Sequence, residues 1–297
     1  MKIMIAKYGE IYSSLPREML AEIKRITAGF SGGISSVSEI RLIRGYGSSL
    51  IMKGHRYRLY SHISREEMDE VFFKICSGAI YAHRDTVKEG YVCTEGGIRV
   101  GVSGTARYDG GELVGVSDIN ALVFRIPVCD STLGEELYLA YGECERGLLI
   151  YSKAGVGKTT ALRTLVPLIA KREPHENIVV VDERCEFDPS VCESYGVMLL
   201  RGYDRVRGVD IALRTLTASV IVIDEIGGYE ESELLFSSLL SGVRFIATAH
   251  AERLSELKMR SGVKPLLERN IFDVFFGIRH TDGGYSCEVE KLECLKL

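Results

Sequence analysis

The segment YSKAGVGKTT, residues 151–160, constrains the fold more than any other part of the sequence. It follows the apolar run GLLIYS and opens into TALRTLVPLIAKR, where apolar residues recur at helical spacing. A glycine-rich segment that ends in Gly157, Lys158 and Thr159 between a strand and a helix is typical of a phosphate-binding loop. The sequence therefore predicts a strand, a loop that wraps phosphate groups, and a helix that begins near Lys158.

Strand-like and helix-like segments alternate through the rest of the second half of the chain. After the loop and its helix come NIVVVDE, VDIALRTLTA, SVIVIDE, SELLFSSLLSG and RFIATAH. Short β-branched runs that are apolar on both faces indicate a parallel sheet covered by helices on both sides. The last segments, IFDVFFGIRH and YSCEVEKLE, predict a closing hairpin with its turn at Asp282, Gly283 and Gly284.

The first part of the chain has a different pattern. LPREMLAEIKRI predicts an amphipathic helix, and Ser64 with Glu67 forms a capping-box pattern before a second helix whose apolar positions extend to Ile80. Period-two runs separated by glycines, as in GGIRVGVSG and ELVGVSDINALVFRIP, predict antiparallel hairpins. The fold class expected is thus α/β, with a smaller N-terminal α+β domain over 1–130 and a P-loop domain over 131–297. The boundary is expected near Pro127 to Ser131.

Composition excludes several classes of protein. A net charge of −4 and a pI near 6.0 give no overall basic field, which disfavours nucleic acid as a partner. The 8 cysteines contain no C-x-x-C pair, so no zinc ribbon or dithiol motif is expected. Because no apolar run approaches the ~18 residues of a spanning helix and no signal peptide is evident, we expect a cytoplasmic protein with no transmembrane segment. Peripheral attachment to a membrane stays open.

The loop itself supplies the candidate nucleotide-binding residues. Gly155 and Gly157 allow backbone N–H groups to turn toward phosphates, and Lys158 would neutralise their charge. Ser152 stands where the usual pattern has its first glycine, which is tolerable if the residue keeps a negative φ. The predicted binding residues are Ser152, Lys153, Ala154, Gly155, Val156, Gly157, Lys158, Thr159 and Thr160.

Acidic residues follow two of the predicted strands. Val220 to Ile223 deliver Asp224 and Glu225 to the carboxyl end of a strand, the edge at which open α/β sheets bind ligands. Asp224 and Thr159 would hold Mg²⁺, which leaves Glu225 to polarise a water molecule.

A second strand, NIVVV, is followed by Asp182 and Glu183, with Glu186 shortly after. Glu186 is the second candidate for the base, and Glu183 would assist on the metal side. His250, at the end of FIATAH, would sense the terminal phosphate of the nucleotide, or is a structural histidine with satisfied hydrogen bonds.

The order of these motifs resembles that of RecA-like ring ATPases, and of the secretion and pilus ATPases in particular. Over nearly the whole chain, GGIRVGVSG, VVVDERCEF, VIVIDEIG and IATAH, around S-x-x-G-x-G-K-T-T, resemble the stage III sporulation protein AA family of endospore-forming bacteria. Since a serine also opens the loop in that family, the resemblance supports a working site despite Ser152. It implies an ATPase that uses ATP and Mg²⁺ to power assembly of, or transport through, the channel between mother cell and forespore. Membrane-embedded channel proteins would be its partners, and the mother-cell cytoplasm its location.

The resemblance also implies a homo-hexameric ring with nucleotide at the subunit interfaces. Such ATPases commonly need a cation from a neighbouring subunit. The candidates are Arg205, Arg207 and Arg214, since RGYDRVRG is polar and bounded by glycines, as expected of an exposed loop. The alternative for each of them is a solvated surface arginine with no role in catalysis.

Two other functions stay open from the sequence. One is a RecA-like motor stimulated by nucleic acid, for which the N-terminal part offers Arg41, Arg44, Arg56 and Arg58. The other is a nucleotide-gated scaffold with negligible turnover, although two acidic strand ends disfavour it. ATPase assays with and without single-stranded DNA separate the motor from the channel ATPase, and one turnover measurement decides on the scaffold.

Overall fold

The computed structural model describes residues 9–30, 33–52, 54–126, 131–226, 235, 242–281 and 284–291. The chain divides into two compact units, Met1–Val128 and Cys129–Leu297. Three sequence predictions lie wholly or largely outside the described residues: the boundary at 127–130, the helix at 232–241 and the turn at 282–283.

A six-stranded antiparallel sheet forms the centre of the first unit, with strand order β3-β2-β1-β6-β5-β4. β5 and β6 form the hairpin that the alternating pattern predicted, with Val100 opposite Phe124. The strands are β1 (Val37–Ile43), β2 (Ser49–Met52), β3 (His55–Arg58), β4 (Tyr91–Cys93), β5 (Arg99–Asp109) and β6 (Glu112–Arg125).

Helices cover this sheet and complete its core, in which Met19 and Val71 pack with Ile40 and Phe124. They are α1 (residues 9–14), α2 (Arg17–Thr27), α3 (Arg65–Ile75) and α4 (Arg84–Lys88), with short 3-10 helices at Gly33–Ser36 and Ile80–His83.

The capping box predicted for α3 is present. Ser64 Oγ accepts the Glu67 N–H at 3.1 Å, and Glu67 Oε2 accepts the Ser64 N–H at 2.9 Å. The prediction that this helix extends to Ile80 is wrong: α3 ends at Ile75. Ser77 and Gly78 adopt φ +50° and +74°, in the left-handed region that ends helices, so Ile80 falls in the following 3-10 turn.

A seven-stranded sheet organises the second unit, with strand order β13-β12-β7-β11-β10-β8-β9. β13 pairs antiparallel with β12 at one edge, as predicted for the closing hairpin, and the other six strands run parallel. The strands are β7 (Gly147–Ser152), β8 (Ile178–Asp182), β9 (Met198–Arg201), β10 (Val220–Ile223), β11 (Arg244–His250), β12 (Val274–Thr281) and β13 (Gly284–Lys291). Edge strand β9 is missed by the sequence analysis, because its four half-buried residues carry no period-two pattern.

Helices pack on both faces of this sheet, as the apolar strands predicted. Leu148 and Ile150 face a core built with α5 and α6, whereas Leu149 and Tyr151 face one built with α8, α9 and α10. The helices are α5 (Ser131–Gly142), α6 (Lys158–Arg172), α7 (Pro189–Ser194), α8 (Arg205–Arg214), α9 (Leu254–Leu257) and α10 (Lys264–Glu268).

The prediction of an exposed loop over RGYDRVRG is wrong for much of that segment. Arg201 ends β9, and α8 already begins at Arg205. Asp204 caps this helix, because its Oδ1 accepts the Arg207 N–H at 2.9 Å. An aspartate before a helical run is a common start signal, and here it outweighs the polar composition of the segment.

Helix α8 approaches the sheet through Gly208. A Cβ atom at this position would lie 2.4 Å from Val181 Cγ1 on β8. Overpacking of this kind costs about 1–3 kcal/mol, while alanine in a helix gains at most ~1 kcal/mol over glycine. The close contact therefore requires glycine.

We expect Gly208→Ala to lower the free energy of unfolding by ~1 kcal/mol or more, because α8 or Val181 must move to admit the methyl group. Urea denaturation measures the change. Gly142→Ala is the matched control in α5, since a Cβ there meets no atom within 4 Å and should leave stability equal or higher. A Gly208→Ala variant as stable as the natural chain would contradict the packing argument.

Candidate functional site

The loop after β7 has the backbone shape that a phosphate cradle requires. Gly155 and Gly157 adopt φ +78° and +114°, values that glycine reaches without steric cost. Gly157 is also the N-cap of α6 and has no side chain to cover the first N–H groups of the helix. These donors, with the positive end of the helix dipole, point to an anion site. The loop residues Lys153, Ala154 and Gly155 are exposed, whereas Val156 and Gly157 are half-buried.

Ser152 needs no glycine-like conformation. It is the last residue of β7, pairs in register with His250 of β11, and does not have a positive φ. Its hydroxyl donates to the Lys153 carbonyl at 2.9 Å. The condition set for a serine at this position of the motif is therefore met.

Lys158 is turned inward and is only 6% exposed. Its Nζ donates to the carbonyls of Ser152 at 3.1 Å and Lys153 at 3.3 Å, and contacts His250 Nδ1 at 2.8 Å. Burial lowers the pKa of Lys158 to about 8, although Asp224 and Glu225 attract its charge and oppose this shift. The ammonium group is thus held at the mouth of the loop by groups that carry no full charge.

Hydroxyl groups tie the ends of the neighbouring strands to the loop helix. Thr159 Oγ1 donates to Asp224 Oδ2 at 2.6 Å, and Thr248 Oγ1 donates to Asp224 Oδ1 at 2.7 Å. The same Thr248 oxygen accepts the Glu225 N–H at 2.8 Å. Asp224 is therefore fixed on both carboxylate oxygens, beside the first turn of α6.

Glu225 leaves β10 with φ +58°, an uncommon value for a residue with a side chain. Its two carboxylate oxygens have different neighbours: Arg184 Nη1 lies 2.6 Å from Oε2, and His250 Nε2 lies 3.4 Å from Oε1. Burial and the charge of Lys158 lower the pKa of His250 against the opposing effect of Glu225, which favours the neutral imidazole. Because Nδ1 faces the Lys158 ammonium, the hydrogen-bond network assigns the ring proton to Nε2, toward Glu225.

The predicted residues thus divide into two groups. Lys158, Thr159, Asp224, Glu225 and His250 form one connected set at the carboxyl ends of the strands, in which Thr248 links Asp224 to Glu225. Thr160, also predicted to bind nucleotide, follows in α6, where its carbonyl accepts the Thr164 hydroxyl.

The other predicted acids and arginines make different contacts. Glu186 pairs with Arg163 of α6 at 3.2 Å, and both side chains are largely buried. Glu183 pairs with Arg205 at 2.7 Å. Arg207 is exposed, and the exposed side chain of Arg214 pairs with Asp210 one turn earlier in α8.

Sequence reasoning misses two residues that contact members of the connected set, Thr248 and Arg184. Thr248 lies two residues before His250 in the T-x-H segment, so the spacing carried a signal for a residue on the same face. Arg184 follows Glu183, and its contact with Glu225 is set by the packing of β8 beside β10. A contact between strand ends far apart in sequence leaves no local pattern to read.

The side chains fit a magnesium ion that arrives with a phosphate ligand. Thr159 and Asp224 offer hydroxyl and carboxylate oxygens, the hard donors that Mg²⁺ prefers. Within the described ranges, no group of three or more His, Cys, Asp or Glu side chains could hold a metal ion. A metal bound here would therefore need phosphate oxygens and water to complete its coordination.

Comparison with known proteins gives both a family and a fold. Residues 10–286 match the family model described as Sporulation stage III, protein AA. The Stage III sporulation protein AA of Bacillus subtilis (strain 168) is 28% identical over 258 residues, which cover 83% of this chain and 84% of that protein.

Solved structures of secretion and pilus ATPases share the fold. The ATPase DotB of Yersinia pseudotuberculosis has a TM-score of 0.61 at 18% identity, over 94% of this chain and 81% of its own. The pilus retraction motor PilT with bound ADP has a TM-score of 0.60 at 15% identity, over 91% and 81%. The predicted RecA-like P-loop fold with a second, α+β unit is confirmed. No helix in the described parts of the chain is long and apolar enough to cross a membrane.

Proposed function

The chain belongs to the sporulation stage III protein AA family, and we propose on this basis that it is a Mg-ATP-dependent ATPase. Its work would be to power assembly of, or transport through, the channel between mother cell and forespore. The observation that carries the enzymatic part is the connected set of Lys158, Thr159, Asp224, Glu225 and His250 beside an open helix N-terminus.

The loop binds the nucleotide through its backbone N–H groups and through the side chain of Lys158. The N–H groups from Lys153 to Thr160 surround the phosphates, and Ser152 fixes the exit of β7. Lys158 exchanges its contacts with two carbonyls and an imidazole for phosphate oxygens, which offer full negative charge. Since desolvation lowers the pKa of this lysine, a polyphosphate beside it restores the preference for the charged form.

Thr159 and Asp224 are the residues that would hold Mg²⁺. When bound with the nucleotide, this ion neutralises negative charge on the phosphates. The hydrogen bond between these two side chains holds the Thr159 hydroxyl oxygen next to a carboxylate oxygen of Asp224. The two protein groups that would hold the ion are therefore already adjacent.

Glu225 is the base in this proposal, because it lies beside Asp224 and contacts His250, which in turn contacts Lys158. Its carboxylate polarises the attacking water, and His250 responds to the terminal phosphate through Lys158. Glu186 stays the second candidate, although its pairing with Arg163 favours a structural role. Glu183, paired with Arg205, is retained as a helper on the metal side.

A homo-hexameric ring would supply a cation to each site from the neighbouring subunit, an effect worth ~10³-fold or more in rate. Arg205 is held by Glu183, so the exposed Arg207 and Arg214 are the more accessible candidates. The channel proteins of the membrane would be the partners of this ring. We place it in the mother-cell cytoplasm, at the membrane surface.

The alternative of a motor stimulated by nucleic acid is weakened by the ion pairs of two of the four candidate arginines, while Arg56 and Arg58 are exposed on β3. Arg44 pairs with Asp118 at 2.7 Å, and Arg41 pairs with Glu39. These pairs reduce the positive charge that a phosphate backbone would need. ATPase rates with and without single-stranded DNA should therefore agree, whereas stimulation by DNA would favour the motor.

We expect Lys158→Ala to abolish ATP hydrolysis while the fold stays intact, because its Nζ faces polar groups and not an apolar core. Phosphate release measures turnover, and circular dichroism checks the fold. Lys171→Ala is the matched control, an exposed lysine near the end of the same helix. Turnover of Lys158→Ala equal to that of the natural chain would reject the site.

Glu225→Gln should lower kcat by ~10²-fold or more with ATP affinity unchanged, because a water-positioning group acts mainly in the transition state. Glu186→Gln, measured beside it, should have the smaller effect on kcat. Binding titrations give the affinities separately from the turnover assay. A near-normal kcat in Glu225→Gln together with a collapse in Glu186→Gln would move the catalytic role to the second acidic strand end.

Assembly is tested with the hydrolysis-blocked Glu225→Gln variant. Light scattering with Mg-ATP should give about six times the 33.0 kDa mass of the chain, because nucleotide at the interface joins neighbouring subunits. Adding Lys158→Ala to this variant should abolish the nucleotide-dependent increase. If Glu225→Gln is monomeric both with and without Mg-ATP, the proposed ring is contradicted.

A further inference from the structure

We infer that Arg184 is a positioning residue that orients the Glu225 carboxylate for hydrolysis. This inference deepens the proposed ATPase function and rests on it. The contact that carries it joins Arg184 Nη1 to Glu225 Oε2 at 2.6 Å, between the turn after β8 and the exit of β10. An arginine so close to the candidate base, on a neighbouring strand end, can fix the direction in which that base points.

The turn that carries Arg184 is braced by a buried aspartate. Asp182 is only 2% exposed, and its two carboxylate oxygens accept the N–H groups of Glu186 at 2.9 Å and Phe187 at 2.8 Å. Cys185 adopts φ +55°, and its N–H donates to the Asp182 carbonyl at 3.3 Å. The backbone on both sides of Arg184 is therefore held, and the guanidinium extends from a fixed base.

The backbone of Glu225 is fixed independently of its side chain. Its N–H donates to Thr248 Oγ1 at 2.8 Å, and the next N–H, of Ile226, donates to the Thr248 carbonyl at 2.8 Å. Two contacts on different oxygens then determine the orientation of the carboxylate: Arg184 on Oε2 and His250 on Oε1. Losing either contact lets the carboxylate rotate about its terminal bond.

The two groups that contact the Glu225 carboxylate differ in charge. Burial and Lys158 lower the pKa of His250, so the imidazole offers a neutral N–H. The guanidinium of Arg184 carries a full positive charge. The stronger of the two contacts on Glu225 therefore comes from Arg184, whose side chain is 44% exposed and can adapt to a bound ligand.

Contacts of the other acids on the same turn make the assignment specific. Glu183 pairs with Arg205, and Glu186 pairs with Arg163. Arg184 alone among these three arginines crosses to the strand end that carries the candidate base. The segment DERCEF thus places two acids in structural ion pairs and directs its arginine to Glu225.

The test is a kinetic series on the full chain with Mg-ATP. Arg184→Gln should lower kcat by ~10-fold to 100-fold with little change in KM or ATP affinity, since the contact orients the base and not the nucleotide. Arg184→Lys should recover part of the loss, because it keeps the charge without the planar fork. Arg172→Gln is the matched control: it removes an arginine from an ion pair of 2.8 Å with Glu135, away from the loop.

A double variant separates positioning from a merely structural role. If Arg184 acts through Glu225, adding Arg184→Gln to Glu225→Gln should lower kcat no further, because the base is already gone. Losses that multiply in the double variant would overturn the inference, as would a rise in KM alone. An unchanged kcat in both Arg184 variants would overturn it as well.

Failure of the inference differs from failure of the proposed function. If the natural chain turns over ATP, Lys158→Ala does not, and Arg184→Gln is normal, only the role of Arg184 is rejected. If Glu186→Gln loses most of its kcat while Glu225→Gln keeps a normal kcat, the roles of Glu225 and Arg184 are both rejected. The proposed ATPase function is retained in that case. If the natural chain does not hydrolyse ATP, both proposals are rejected.

Discussion

Parallel pairing of four central strands is the constraint on which the candidate site depends. Val181 of β8 and Ala247 of β11 both lie opposite Ile223 of β10, and Ser152 of β7 lies opposite His250. Because the register is fixed along each pair, the strands end at one edge of the sheet. Residues from four distant parts of the sequence therefore meet there, at the strand ends or in the short segments that follow them.

At that edge, three half-buried or buried carboxylates each accept hydrogen bonds or form an ion pair. Asp224 is held by two hydroxyl groups, Glu225 by a guanidinium and an imidazole, and Asp182 by two backbone N–H groups. Unpaired carboxylates in such a place would be costly, and their mutual repulsion would separate the strand ends. Hydrogen bonds therefore let several acids gather close to one lysine.

Local patterns in the sequence were enough to predict the sheet, the phosphate loop and five residues of the connected set. Apolar runs before Ser152, Asp224 and His250 mark buried strands, and the residue after such a run lies at the sheet edge wherever the strand pairs. The ion pairs could not be predicted in this way. Whether Arg184 contacts Glu225 or Glu183 is decided by side-chain directions at the ends of adjacent strands, which depend on the packed structure.

The wrong predictions have a related cause. Polar composition suggested a loop around Arg205, but the capping carboxylate of Asp204 and the contact of Gly208 with Val181 stabilise a helix there. Ile80 continued an apolar period, yet the left-handed residues Ser77 and Gly78 ended the helix before it. In each case two residues with specific local roles overrode a pattern spread over many residues.

The contacts of Lys158 bear on how readily the site releases what it has bound. In the free protein its ammonium group has two carbonyl oxygens and an imidazole nitrogen within hydrogen-bonding distance. A buried lysine without such partners would bind any phosphate tightly, since its desolvated ammonium group would have no other hydrogen-bond acceptor. The free energy that Lys158 contributes to phosphate binding is therefore the difference between its contacts with phosphate and its contacts with these neutral acceptors. Lys158 thus has partners within the chain to which its ammonium group can return when a phosphate leaves.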